Sequence, residues 1–262
     1  MLIKTLNENS LKAANEQVMF FKAYRVFINP SSKHHLTPDE FYIYSLLNRY
    51  ICMDRSITIT RSMLEQVMPF PLLTKKADNR KRITETLEGL INKDVLTSHL
   101  VRPSKSGINE LMQFSINDLI LSDLKENDKK ISQRYLEFPL FIVFHEKIKS
   151  SSDLYICYVV RSKVDNGKFP PKRMSGTYWA KVLGKSTTNA SYVQKMIDSC
   201  VERQIIFKRS GVRKEDSTQE YNLYDIQEID ENYKEPLKQK NVIEELPVIH
   251  TKVEAKLDEI PF

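Results

Sequence analysis

Glycine, cysteine and long apolar runs are all scarce in this chain of 262 residues, and each shortage excludes a class of protein. The six glycines are scattered, so the chain lacks a glycine-rich loop of the kind that cradles a nucleotide phosphate. No apolar run approaches the roughly 18 residues that a membrane-spanning helix needs. Residues 1–15 are polar and lack the apolar core of a signal peptide. We therefore expect a cytoplasmic protein with no membrane partner.

The residue patterns that catalysis requires are also missing. Cys52, Cys157 and Cys200 are odd in number and widely spaced in helical patterns, so we interpret them as buried thiols rather than disulfides or metal ligands. The pair His34 and His35 has no acidic cluster beside it and fits a polar loop. No arrangement of Ser, His and Asp has local support. We expect neither an enzyme nor a bound metal or cofactor.

The net charge of +6 is distributed unevenly along the chain. Residues 1–120 contain 16 Lys and Arg against 12 Asp and Glu, and residues 135–227 contain 15 against 10. Residues 228–262 contain 5 against 9. Two basic bodies and an acidic tail predict a polyanionic partner for the bodies and a different partner for the tail. Ordinary surface charge is the alternative explanation.

One order of predicted elements occurs twice, at a distance of about 110 to 117 residues. In the first copy, an aromatic leader at 20–27 precedes a helix near 41–51, a short strand, two more helices and a basic hairpin. The second copy starts near Phe138 and ends with a hairpin over 205–224. Helix, strand, helix, helix, strand and wing is the order of a winged-helix domain. The hydrophobic content of 41% suffices for two modest cores.

The repeat predicts an α+β fold, mainly helical, with two tandem winged-helix domains and a disordered acidic C-terminal tail. The predicted segments are a first domain with its leader (1–120), a charged linker (121–134), a second domain (135–227) and the tail (228–262). Local signals support the helix positions. Thr37, Pro38 and Glu40 form a capping box with proline at the first helical position. Ser175 is placed to cap a short helix that Gly184 ends.

Cations cluster where the third helix of the first copy begins. Asp78 or Asn79 can cap this helix, and five cations lie in its first turns and in the approach to it. Helix N-termini favour carboxylates, whereas a recognition helix enters the major groove with its N-terminal residues. Phosphate contact therefore accounts for the cations, and a solvated lysine-rich loop is the alternative. The predicted DNA contacts are Lys75, Lys76, Arg80, Lys81 and Arg82, with Arg102 and Lys105 in the following turn.

Short polar residues begin the third helix of the second copy. Thr187, Asn189 and Ser191 suit base edges or phosphate oxygens, although such residues also cap helices. The predicted DNA contacts here are Lys185, Asn189, Tyr192, Lys195, Arg209, Arg213 and Lys214. We assign Trp179 and most Tyr and Phe residues to the core, because their helical spacing does not suggest stacking platforms for single-stranded bases.

The last six residues, 257–262, read Leu-Asp-Glu-Ile-Pro-Phe. They resemble the terminal peptide of bacterial single-stranded-DNA-binding proteins, which ends in acidic residues, Ile-Pro-Phe or Leu-Pro-Phe, and a free carboxylate. The resemblance implies that Asp258, Glu259, Ile260, Pro261 and Phe262 dock in an apolar pocket with a basic rim on a host replication protein. Only two acids are adjacent here and Lys256 lies close by, which weakens the electrostatic part.

The duplicated leader, capped helix and winged helix together resemble the replication initiators of plasmids and phages. Residues 20–27 are similar to the aromatic leader of such initiators and of primosomal helicase-loading proteins. Over residues 20–227 the resemblance implies binding of double-stranded DNA at origin repeats, local duplex destabilisation and recruitment of host replication proteins. A homodimer is compatible with it. A winged-helix transcriptional repressor and a protein–protein adaptor without DNA binding stay open as alternatives.

Overall fold

A computed structural model of the chain describes residues 20–51, 56–118, 135–211 and 221–226. The structure is mixed α+β, with more residues in helices than in strands. None of the helices in these ranges combines the length and the apolar character that a bilayer crossing requires. The predicted linker at 121–134 and the predicted tail at 228–262 lie outside the described residues.

The same succession of elements occurs in a first half (20–118) and a second half (135–226). The first half contains β1 (Phe20–Tyr24), a 3-10 turn (Arg25–Ile28), α1 (Pro38–Asn48), β2 (Ser56–Ile59), α2 (Arg61–Val67), α3 (Lys76–Asn92), β3 (Leu96–Ser98) and β4 (Met112–Ile116). The second half contains β5 (Tyr135–Pro139), α4 (Phe141–Phe144), α5 (Ser151–Val164), β6 (Lys172–Arg173), α6 (Gly176–Val182), a 3-10 turn (Thr187–Asn189), α7 (Ala190–Glu202), β7 (Ile206–Arg209) and β8 (Leu223–Ile226).

Each half builds one three-stranded antiparallel sheet with the same strand order. The order is β2-β4-β3 in the first half and β6-β8-β7 in the second. In both sheets the last strand lies in the centre. It is flanked by the strand that follows α1 or α5 and by the strand that follows α3 or α7. The repeat seen in the sequence is therefore also a repeat of sheet topology.

The two leader strands pair with each other. β1 and β5 are antiparallel, and Lys22, the middle residue of β1, faces Glu137, the middle residue of β5. Equivalent residues are thus paired, which places a local two-fold axis between the leaders. The equivalent helices α1 and α5 also pack against each other. The two halves thus meet through equivalent strands and equivalent helices, about the local two-fold axis of the leaders.

One aromatic cluster joins the halves. The Phe41 ring stacks on Tyr158 with centroids 4.2 Å apart, and Phe138 and Tyr155 lie 5.8 and 5.6 Å from it. The Tyr158 hydroxyl donates to the Tyr24 carbonyl at 2.5 Å, and burial raises the Tyr158 pKa well above its usual value. All these side chains belong to a single buried core. The sequence suggested a core for each half, but the aromatic rings of α1, α5 and the leaders merge them into one.

Several local predictions are confirmed and one is wrong. Thr37 Oγ1 accepts from Glu40 N while Glu40 Oε2 accepts from Thr37 N at 2.6 Å, which is the predicted capping box. Ser175 caps α6, and Gly184 follows it with φ +64°. The third helix, however, begins before Asp78 and Asn79. Asn79 instead accepts hydrogen bonds from the N–H groups of the loop before α3, so its side chain holds that loop.

An ion pair between the buried Asp153 and the half-buried Arg203 joins α5 to the end of α7. Arg203 Nη2 lies 2.6 Å from Asp153 Oδ1, and Arg203 Nη1 lies 2.8 Å from Asp153 Oδ2. Burial raises the Asp153 pKa, but the hydrogen bonds and charge of Arg203 outweigh it, so the pKa lies below its ordinary value. The pair therefore stabilises the fold above the unfolded-state pKa of about 3.9 and less as pH falls through the folded-state value.

We expect Asp153→Asn to lower the free energy of unfolding by about 2 kcal/mol at pH 7, because it removes the charge-assisted hydrogen bonds that Asp153 accepts from the half-buried Arg203. Urea unfolding of both proteins measures this difference. It should shrink as the pH falls from about 4 through the lower folded-state pKa of Asp153, below which the wild-type carboxyl is also neutral. A difference that stays constant with pH would contradict this role.

Candidate nucleic-acid interface

The five predicted cations of the first half lie together at the N-terminus of α3. Lys75 immediately precedes the helix, and Lys76, Arg80, Lys81 and Arg82 occupy its first two turns. The side chains of Lys75, Lys76 and Lys81 are exposed. Within the described ranges, Lys75 and Lys76 have no ion-pair partner. They are the cations of this helix that can meet a phosphate without giving up a carboxylate.

The remaining cations of α3 each have a carboxylate partner in the same chain. Arg80 Nε lies 2.9 Å from Glu65 Oε2, and Arg82 Nη2 lies 2.8 Å from Asp39 Oδ2. Lys81 makes a loose contact of 4.0 Å with Glu85. Burial lowers the Arg82 pKa, but the bonds and charges of its two acidic partners outweigh it and raise the pKa. A phosphate would have to compete with these partners.

The turn between β3 and β4 (residues 99–111, the β3–β4 turn) lies against α3. Glu88, on the fourth turn of α3, accepts from Ser104 N at 2.9 Å and lies 3.5 Å from Arg102 Nη1. Burial raises the Glu88 pKa, but the hydrogen bonds from Ser104 and the charges of Arg102 and Lys105 have the larger opposite effect. The Glu88 pKa therefore lies below its ordinary value. Arg102 and Lys105 are exposed. The predicted cations of the turn are thus held next to the helix that carries the others.

The second half presents a continuous exposed segment before and into α7. All residues from 184 to 192 are exposed, and Tyr192 is 54% exposed. Lys185 Nζ lies 5.9 Å from the Tyr192 ring centroid, a cation–π contact. Asn189 stands at the start of α7 without a capping hydrogen bond from its side chain, and Lys195 is exposed in the second turn of the helix. These groups are free to meet a ligand.

The α7 surface is more uniformly basic than that of α3. The first carboxylate along α7 is Asp198, and it is already bound by Lys208 Nζ at 2.6 Å and Gln194 Nε2 at 2.8 Å. Arg209 is exposed on β7. Among the described residues, Lys185, Lys195 and Arg209 have no carboxylate partner. Arg213 and Lys214 lie outside the described residues.

Sequence reasoning missed Arg61. This residue is the first of α2, and its guanidinium donates to Thr84 on α3 and to the Ser106 carbonyl in the β3–β4 turn. A usable signal was present, because Arg61 directly follows a capping Thr60 and a cation there opposes the helix dipole. The same signal identified the cations of α3.

The groups suspected of other chemistry are occupied by structural contacts. His34 Nδ1 lies 2.6 Å from the Lys93 carbonyl, and His35 Nε2 lies 3.0 Å from the Val182 carbonyl. Cys157 and Cys200 are free and buried, as predicted, and burial raises the pKa of both thiols; Cys52 is outside the described residues. In the part of the chain that the structure describes, no three His, Cys, Asp or Glu side chains are grouped to hold a metal.

Comparisons of this chain with protein-family models, with curated proteins and with solved structures found no match. The function is therefore inferred from the geometry of α3, α7 and the β3–β4 turn. The predicted docking residues Asp258, Glu259, Ile260, Pro261 and Phe262 lie outside the described residues.

Proposed function

We propose that this protein is a DNA-binding replication initiator that recognises origin sites through two winged-helix modules and recruits host replication proteins through its tail. The observation that carries the DNA-binding part is the duplicated topology. Each half has the helix, strand, helix, helix, strand, strand order with its last strand central, and each exposes a basic third-helix N-terminus. This is the plan of a winged-helix module, in which the third helix enters the major groove.

In this proposal α3 and α7 read major grooves while the hairpins that follow them contact the backbone. The cations available for phosphate without a carboxylate partner in the described ranges are Lys75, Lys76, Lys105, Lys185, Lys195 and Arg209. Arg102 is also exposed and lies 3.5 Å from Glu88, so it can join them. Two modules on one chain raise the effective concentration of the second contact once the first has formed. Affinity should therefore be high at low salt and fall steeply as salt is added.

The approximate two-fold axis supports a particular kind of DNA site. Two recognition helices related by a two-fold axis approach one duplex in opposite directions, so their half-sites are inverted relative to each other. The surfaces of α3 and α7 differ, since one begins with lysines and arginines and the other with Lys185, Asn189 and Tyr192. The site should thus consist of two inverted half-sites of different sequence.

The replication role draws on the resemblance of the terminal peptide and the leader to those of replication proteins. The two-fold arrangement also suits an operator palindrome, which keeps a transcriptional repressor as the alternative. An adaptor without DNA binding would leave the exposed cations of α7 without a use.

Footprinting of the full chain on its own replicon separates these functions. The proposal predicts protection of repeated sites beside an A·T-rich tract. Protection confined to a promoter palindrome would favour a repressor, and no protection even at low salt would favour an adaptor. A variant that lacks Phe262 should give the wild-type footprint but fail to support replication of a plasmid carrying the origin. Wild-type replication by that variant would remove the recruiting role of the tail.

A further inference from the structure

We infer that Arg61 is a positioning residue that holds the β3–β4 turn against α3, so that Arg102 and Lys105 meet the same duplex as the helix. This inference rests on the proposed DNA binding. It assigns a role to a residue that does not itself touch DNA, and it makes the first half's phosphate contacts depend on a bond network inside the protein.

The guanidinium of Arg61, on α2, bonds to both α3 and the β3–β4 turn. Its Nη1 donates to Thr84 Oγ1 on α3 at 2.7 Å, and its Nη2 donates to the Ser106 carbonyl in the β3–β4 turn. Its Nε is buried, with no partner in the described part of the chain. The next residue adds a backbone link, because Ser62 N donates to the Ile108 carbonyl at 3.0 Å. The start of α2 therefore ties α3 to the turn.

Hydrogen bonds within the β3–β4 turn, and one to Glu88 of α3, also fix its backbone. Ser106 is buried, and its hydroxyl donates to the Pro103 carbonyl at 3.1 Å. Lys105 N donates to the Arg102 carbonyl at 3.0 Å, and Glu88 accepts from Ser104 N. The exposed cations Arg102 and Lys105 thus project from a backbone that is already fixed. A phosphate contact made by a fixed turn has a smaller ordering cost than one made by a mobile turn.

The second half shows that the fold itself does not need this bridge. The first residue of α6, equivalent to Arg61, is Gly176, and it follows the capping Ser175 as Arg61 follows the capping Thr60. A side chain added at Gly176 would meet open space within 4 Å. A requirement of the fold would apply to both halves, whereas the Arg61 bridge occurs in one. The bridge therefore serves the turn of the first half.

A double-mutant cycle on DNA binding tests the assignment. The probe is a duplex selected from random sequence by the wild-type protein, and the variants are Arg61→Ala, the pair Arg102→Ala with Lys105→Ala, and all three together. Arg61→Ala should lower affinity about tenfold and reduce the salt slope by nearly two, as if two phosphate contacts were lost. In the protein without the two cations, Arg61→Ala should have no further effect. If the losses of affinity add, or if the salt slope falls by only one, Arg61 contacts phosphate directly. Unchanged affinity in Arg61→Ala would also overturn the assignment.

Limited trypsin digestion without DNA gives a second readout that does not depend on the proposed function. Cleavage after Lys105 should be several-fold faster in Arg61→Ala than in the wild type, because the following residue, Ser106, loses the bond to its carbonyl. The matched control is Lys33→Ala, which removes an exposed cation paired with Asp94 and should leave this cleavage unchanged. Equal cleavage in Arg61→Ala would contradict the bridge. Faster cleavage in a protein that binds no DNA would instead sink the proposed function and leave the bridge standing.

Discussion

Reversing the charge of Lys185 and Lys195 together is expected to lower the affinity of the full chain for its DNA site by more than about a hundredfold at 0.1 M salt. Lys185 is exposed in the segment that precedes α7 and Lys195 in the first half of the helix, and neither has a carboxylate partner in the described ranges. Each substitution removes a favourable phosphate contact and adds a repulsive one. Titration of a labelled duplex, followed by fluorescence anisotropy, measures the loss.

The control variant reverses Lys147 and Lys149, which changes the net charge by the same amount. These residues lie at the opposite end of α7, where Arg203 donates to the Lys147 carbonyl. A helix of 13 residues is about 20 Å long, so this site is remote from Lys185. The control should bind within about threefold of wild type, through net charge alone. Equal losses in both variants would mean that general charge, and not the α7 surface, governs binding.

Phe41→Ala is expected to lower the free energy of unfolding by about 4 kcal/mol and to destabilise both halves at once. The Phe41 ring is fully buried, stacks on Tyr158 of α5 and meets Phe138 of β5 edge to face. Its removal opens a cavity at the point where the halves share their core. Calorimetry should show a single unfolding transition that shifts to lower temperature as a whole.

Phe20→Ala is the matched control, because Phe20 lies next to the same cluster on β1 but is 54% exposed. Its effect should stay within about 0.5 kcal/mol. Two separate transitions in the wild type, of which Phe41→Ala shifts only one, would contradict the shared core.

The features that could be predicted from the sequence are those that neighbouring residues determine. The capping box of Thr37 and Glu40, the Ser175 cap and the left-handed Gly184 each depend on a few consecutive residues, and all three are confirmed. The pairing of β1 with β5 joins residues more than 100 positions apart, and no local pattern encodes it. The merging of two expected cores into one follows from that pairing.

The candidate interface shows the same limit. The sequence located the cations at the start of α3, but it could not show that Arg80 and Arg82 are bound by Glu65 and Asp39 from other elements. For the same reason it missed the bridge made by Arg61, whose partners Thr84 and Ser106 lie 23 and 45 residues away. The more open basic surface of α7 became apparent only when these internal pairs were identified.

The salt dependence of binding to double-stranded DNA is the most direct test of the proposed function. The dissociation constant of the full chain for a selected duplex should be measured between 50 and 200 mM salt. Six phosphate contacts predict that the logarithm of the binding constant falls with the logarithm of salt with a slope of about −5. Binding that is absent at the lowest salt, or that does not change over this range, would contradict recognition of DNA by α3 and α7.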